Sequence, residues 1–357
     1  MLKYYKENIK MFLPYSWILG TSEWIPFDSN PVDCFFQGLV GACGVSVLCN
    51  LMRVYFFSQT CSDSEIEIER KQRSSSPSSL LRGNWGTTVQ FWSLAVLLSL
   101  VGSRVSSLIV LEFSLRAVSA WASAGLDPNG RGLDRLLFQC QFSLGCGLTC
   151  TLVFLHQGAP HSSLSLFLAA ALSWALASSC SSLWSHVARL YPLHSTERYC
   201  GKCITLLTSG HTILASLQRG VVLAFTVATV ASTTTVYDHF LSQKDAIKFW
   251  TPLTLCYTML VVYVQEDQNR HTGAEALVHA VVLRLGSLLV LMLTVGQWSD
   301  VLQVLITFLG EAVCLLPSRD LLQAVLKEEE DTTLSKREEN CSHGTRNHTH
   351  KTSSNGS

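Results

Sequence analysis

Five charged residues lie in stretches that are otherwise almost bare of charge: Arg104, Glu112, Arg116, Arg284 and Glu311. A charge at bilayer depth costs several kcal/mol, so such groups are paired or face a wet interior. Glu112 and Arg116 stand at i and i+4, the spacing of an intrahelical ion pair. Arg284 and Glu311 flank a turn at Trp298-Ser299-Asp300. Counting outward from that turn, the two reach similar depth on antiparallel neighbours and are expected to pair. Arg104 sits beside Gly102-Ser103 at a proposed break, where it can reach the interface. Two readings follow. In one, the charges line a polar pathway through a helical bundle. In the other, which the pairing spacing favours, they are structural ion pairs that fix helix register.

Cysteine and histidine offer less. Most of the 13 cysteines are scattered through apolar stretches, where Cys acts as a small apolar residue. No spacing resembles a secreted disulfide framework. One CxxC is present, Cys200-Gly201-Lys202-Cys203, with His194 before it and His211 after it. A structural zinc site takes four ligands, commonly two such pairs, so this lone pair reads as packing rather than metal or redox chemistry. His156 and His161 flank a short loop and His186 follows Trp184, and these do not make a repeated ligand pattern. There is no phosphate-binding glycine loop before Lys-Ser or Lys-Thr, and no Gly-x-Ser-x-Gly. The sequence therefore assigns no cofactor, no metal and no catalytic residue, and a membrane enzyme is the third choice of function.

The elements that carry the five charges follow from hydropathy. The chain has 357 residues, 48% of them hydrophobic and only 15% charged, with zero formal net charge. Soluble domains carry about 25% charged residues. The balance excludes a disordered chain and a strongly basic nucleic-acid binder. A span needs roughly 20 apolar residues. Such segments run Cys34 to Met52, Thr87 to Ala124 (split near Gly102), Leu136 to His156, Ser163 to Trp184, Gly220 to Tyr237, Phe249 to Val264, Glu275 to Gln297 and Val301 to Leu316. Backbone groups in lipid must bond internally, so these are helices. The expected fold is all-α, a polytopic transmembrane bundle of 8 or 9 spans. Cys203 to Gln218 reads as an interfacial or packed helix that does not span. Gly38, Gly41 and Gly44 give the first span a small face for close helix contact, as do Gly145, Cys146, Gly147 and Cys150 in the fourth. Ser93-Leu94-Ala95-Val96-Leu97 with Gly102 also echoes Ser287-Leu288-Leu289-Val290-Leu291 with Gly296.

The polar segments complete the layout. Residues 1–33 read as an N-terminal interfacial segment, rich in Trp and Pro. Residues 34–325 form the bundle, interrupted by a flexible polar loop at 58–86, and 326–357 form a polar tail. The Lys and Arg bias places odd-numbered loops and the tail on the cytoplasmic side, against the sign of Lys3, Lys6, Lys10, Lys244 and Lys248. Three N-glycosylation patterns, at Asn340, Asn347 and Asn355, test that orientation.

Several stretches carry a family resemblance. They are Val101-Gly102-Ser103-Arg104, Val110-Leu111-Glu112-Phe113-Ser114-Leu115-Arg116-Ala117-Val118-Ser119, Ser143-Leu144-Gly145-Cys146-Gly147-Leu148-Thr149-Cys150, Gly158-Ala159-Pro160-His161, Arg198-Tyr199-Cys200-Gly201 and Phe249-Trp250-Thr251-Pro252-Leu253. Together they resemble the transmembrane protein 82 family, from about Asp33 to about Leu322. The resemblance implies a multi-pass membrane protein and carries over no activity, substrate or site residue. The expected function is a non-catalytic membrane component or partner subunit. The alternative is a small-solute transporter or channel using Glu112, Arg116, Arg284 and Glu311. The expected partners are the lipid bilayer and a membrane protein or a second copy of the chain, with no nucleic acid.

Overall fold

Pro31 opens the first helix at the position where its missing N–H costs nothing, and Asp33 follows in the first turn, where a carboxylate suits the helix dipole. The computed structural model describes residues 31–67, 84–124, 136–156, 162–190, 200–239, 274–295 and 298–315. All regular elements among them are helices. They are α1 (Pro31–Glu67), α2 (Asn84–Leu100), α3 (Ser103–Ala124), α4 (Gln141–His156), α5 (Ser162–Leu190), α6 (Gly201–Ser209), α7 (His211–His239), α8 (Ala274–Val295) and α9 (Trp298–Leu315).

Helix α4 is the hub. It is apolar or small on all sides, the composition of a helix buried all round, and Gln141 through Gly147 with Thr149 and Cys150 are buried. Around it, α1 packs on α2, α4 and α5, while α3 and α7 pack on each other and on α4. Helices α8 and α9 pair, and α9 closes the assembly against α2. Phe138, Phe142, Leu48, Met52, Leu98 and Ile109 are among the most deeply buried side chains. The small face of α1 is used within the chain. A Cβ on Gly38 would lie 2.7 Å from the Ser99 backbone nitrogen on α2, and one on Gly41 would lie 2.9 Å from the Gly145 carbonyl oxygen on α4.

The outer surface is the reverse of a soluble protein's. Leu164, Leu168, Leu172 and Leu176 on α5, Val222, Leu223 and Val230 on α7, and Leu302, Leu305 and Leu309 on α9 are exposed. Glu112, Arg116, Arg284, Asp300 and Glu311 are buried. Contiguous apolar faces of this size do not persist in water. With several apolar helices beneath them, they make the chain an integral membrane protein.

Among the described residues, the number of helices able to span is lower than the 8 or 9 expected from hydropathy. Four helical stretches, Pro31–Gln59, Ser163–Leu190, Thr212–Tyr237 and Trp298–Leu315, are long and apolar enough to cross a membrane. A fifth span is reached if α2 and α3, bent by 109° at their break, count as one broken or re-entrant span. The physical reason is length. The 16 residues of α4 make about 24 Å of helix, short of a hydrocarbon core of roughly 30 Å. The apolar stretch Val278–Leu293 of α8 is equally short. Most of α4 owes its apolarity to protein neighbours, which hydropathy does not distinguish from lipid, whereas α8 also exposes Val278, Val282, Val290 and Leu293. The segment Phe249 to Val264, the residues before Pro31 and the tail with its Asn340, Asn347 and Asn355 patterns lie outside the described residues.

Other boundaries also shift. Helix α1 continues through Ser58 to Glu67, and α2 begins at Asn84, so both ends of the polar loop expected at 58–86 are helical. The Ser58 hydroxyl donates to the Tyr55 carbonyl at 2.8 Å and the Gln59 amide to the Tyr55 hydroxyl at 3.2 Å, which carries the helix out of its apolar part. The segment Cys203 to Gln218 divides at Gly210 into the nine-residue α6 and the first turns of α7. The first half of the internal echo falls on α2, a break and α3, and the second on α8 and α9.

Candidate functional site

Helix α3 presents Glu112 and Arg116 one turn apart toward α8 and α9. Arg284, midway along α8, reaches both carboxylates. Its Nη1 donates to Glu112 Oε2 at 3.0 Å and its Nη2 to Glu311 Oε1 at 3.2 Å. Arg116 Nε stands 3.7 Å from Glu112 Oε1, and its Nη1 donates to Gln139 Oε1 at 2.6 Å. The Arg116 guanidinium also lies 5.0 Å from the Phe113 ring centre. Two arginines and two glutamates thus form one cluster with zero net charge, each side chain no more than 6% exposed. Arg116 Nη2, Arg284 Nε and Gln139 Nε2 have no hydrogen-bond partner among the described residues. The space beside these groups is about 10 Å³, the lower limit for a single water molecule.

Four of the five charges found in the sequence therefore meet at one point, and Arg104 does not. It pairs at 3.4 Å with Asp300, and the two join the start of α3 to the first turn of α9. Sequence reading missed Asp300, which it took as part of a turn, and Gln139, an amide in an apolar run. A buried polar group among apolar neighbours was the available signal for Gln139. For Asp300 it was an acid in the first turn of a helix.

A second constellation forms where α5 ends and α6 begins. His186 Nε2 lies 3.1 Å from Cys200 Sγ and 3.7 Å from Cys203 Sγ, and the two sulfurs are 3.3 Å apart. Val54, Val187 and Leu206 form a small apolar core beneath it, and Phe57 on α1 meets Trp184 on α5 edge to face at 5.7 Å. That packing fixes α6 against α5. The Cys200 thiol is brought down to about 6, first by the Cys203 backbone amide, then by the Cys203 thiol and the His186 ring. Burial, with Cys200 beside it, pushes Cys203 up to about 11. The sequence paired this CxxC with His194 and His211. His194 and the His211 side chain lie outside the described residues, and the histidine in contact comes from α5 instead. Another histidine, His156, ties α4 to α5, sharing hydrogen bonds with the Leu152 carbonyl at 2.8 Å and the Ser165 hydroxyl at 2.9 Å.

A cavity of about 870 Å³ lies between α1, α4, α5 and α7, with α6 at one end. Leu48, Leu144, Leu148, Leu176 and Val221 make its walls apolar, and Lys202, Thr205, Ser209 and Thr212 make one end polar.

A family model described as Transmembrane protein 82 matches residues 32–336. The chain belongs to the transmembrane protein 82 family. The match spans every helix from α1 to α9, so both side-chain clusters and the cavity lie within the family region. No solved structure matches the chain.

Proposed function

We propose that this member of the transmembrane protein 82 family is a non-catalytic membrane component, with its intramembrane charges used for packing. The observation that carries the reading is the closed charge cluster. Arg284 is shared between Glu112 and Glu311, and the adjoining space is about 10 Å³. A solute path needs room for the solute and groups free to exchange partners. The favoured partner is another membrane protein or a second copy of the chain, held through the lipid-facing Leu and Val surfaces. Reconstitution into vesicles tests this. Proton and small-ion flux should equal that of protein-free vesicles, while a stable partner or dimer is retained in mild detergent. Specific flux that disappears in Glu311→Gln would instead establish the alternative, a transporter or channel built on Glu112, Arg116, Arg284 and Glu311.

A second reading is favoured by the cavity. At about 870 Å³, apolar along its walls with Lys202 at its polar end, it has the size and lining of a site for a lipid-like molecule with an anionic head. Native mass spectrometry of the purified chain should show a retained acidic amphiphile whose occupancy falls in Lys202→Gln. Equal occupancy in that variant would refute the reading.

A further inference from the structure

The histidine and two cysteines between α5 and α6 have a geometry that packing does not explain. Their three donor atoms all lie within 4.8 Å of one another, and the pairwise distances are 3.1, 3.3 and 3.7 Å. An ion bonded to sulfur at about 2.3 Å and to nitrogen at about 2.1 Å in a tetrahedron holds such atoms about 3.6 to 3.8 Å apart. The observed triangle reaches this by movements of a few tenths of an ångström, within the freedom of the side chains. His186 approaches both sulfurs, whereas a simple dithiol pair needs no third group. Cys200 stands at the start of α6 and is partly exposed, which leaves an entry path, while Cys203 is buried beneath it.

We propose that His186, Cys200 and Cys203 form a zinc site that staples the end of α5 to the start of α6. Two thiolates and one imidazole are a soft, nitrogen- and sulfur-rich set suited to Zn²⁺ rather than to the oxygen-seeking Mg²⁺ or Ca²⁺. Binding displaces the thiol protons, and the ion replaces them at the centre of the triangle. Three protein ligands leave the fourth tetrahedral position to water or an exogenous donor. The staple also has a structural consequence. Lys202, between the two cysteines, and Thr205 and Leu206 on the same helix line the large cavity, so zinc at this point fixes the cavity's polar end.

The experiment uses the full chain purified in detergent under reducing conditions. Zinc content is measured by elemental mass spectrometry, and the chelator-stripped protein is titrated with Co²⁺. We expect about one zinc per chain, and a sulfur-to-cobalt charge-transfer band with the visible bands of a tetrahedral ion. Cys203→Ser and His186→Ala should lower the metal content by roughly tenfold or more. His186→Cys, which restores a soft ligand, should keep it, and Cys34→Ser should leave it unchanged. Stripping and reloading the wild type gives the same reading without any variant that could fail to fold. Zinc content unchanged in Cys200→Ser/Cys203→Ser would overturn the proposal. So would a chain that is metal-free as purified and, with its thiols kept reduced, takes up neither Zn²⁺ nor Co²⁺.

Discussion

Neutralising Glu311 takes one of two carboxylates away from Arg284 and leaves a net positive charge in a cluster with room for about one water molecule at most. The attraction across 3.2 Å is about 5 kcal/mol at an effective dielectric of 20. Desolvation offsets much of this for the intact pair. It does not do so for the cation left behind, and breaking a buried pair costs about 3 to 5 kcal/mol. Glu311→Gln is therefore expected to lose about 3 to 5 kcal/mol of unfolding free energy. Arg284→Gln should lose at least as much, because both Glu112 at 3.0 Å and Glu311 are left short of a cation. The double variant restores neutrality, since Glu112 and Arg116 remain paired at 3.7 Å. Its loss should be smaller than the sum of the single losses by about 2 kcal/mol, within the range of coupling for direct neighbours. The assay is tryptophan-monitored unfolding by SDS in mixed micelles, on variants purified at matched expression. A Glu311→Gln variant as stable as wild type, or strictly additive losses, would refute the packing role of the cluster.

Three other outcomes follow. Gly38→Val should cost about 1 to 3 kcal/mol or more by forcing α1 from the α2 backbone, whereas Gly44→Ala should be mild because its Cβ meets only the flexible end of Leu148; thermal melts of the two variants distinguish them. Asp300→Asn should cost about 1 kcal/mol or less, and the difference should shrink in high salt, because Arg104 retains solvent contact; melts at low and high salt check this. Cys140, Cys146, Cys150 and Cys314, all fully buried, should resist a membrane-permeant maleimide until the chain unfolds, while Cys34 reacts in the native state; peptide mass spectrometry after labelling reads both.

Helix class and most helix positions were legible because lipid and protein interior both demand apolar side chains and internally bonded backbone. The same equivalence hid the span count. Nothing in the apolarity of Gln141 to His156 says that its neighbours are α1, α3 and α7 rather than acyl chains. Pairing within one helix, Glu112 with Arg116, was readable from spacing. Pairing across a single turn, Arg284 with Glu311, was readable from depth. The contact of Arg284 with Glu112 was not, because it joins helices whose adjacency depends on the whole packing arrangement. Asp300 with Arg104 and His186 with Cys200 escaped for the same reason, and the second pair spans 13 intervening positions that carry no periodic signal.

The two polar constellations differ in what they leave available for a ligand. In the charge cluster, both carboxylates are met by guanidinium groups, the formal charges cancel, and the neighbouring space holds about one water molecule at most. A ligand could enter only by breaking an ion pair, and the cost of an unpaired buried charge works against that. At the start of α6 the donors are soft, and Cys200 keeps solvent contact. That corner also adjoins the polar end of the large cavity through Lys202 and Thr205. The charges that stand out most in the sequence are thus the groups least free to act. The CxxC pair, weak as a motif, gains its chemical meaning only when α5 brings His186 against it. Under the proposed reading, binding chemistry in this fold is to be sought where α5 meets α6, while the charge cluster joins α3, α8 and α9.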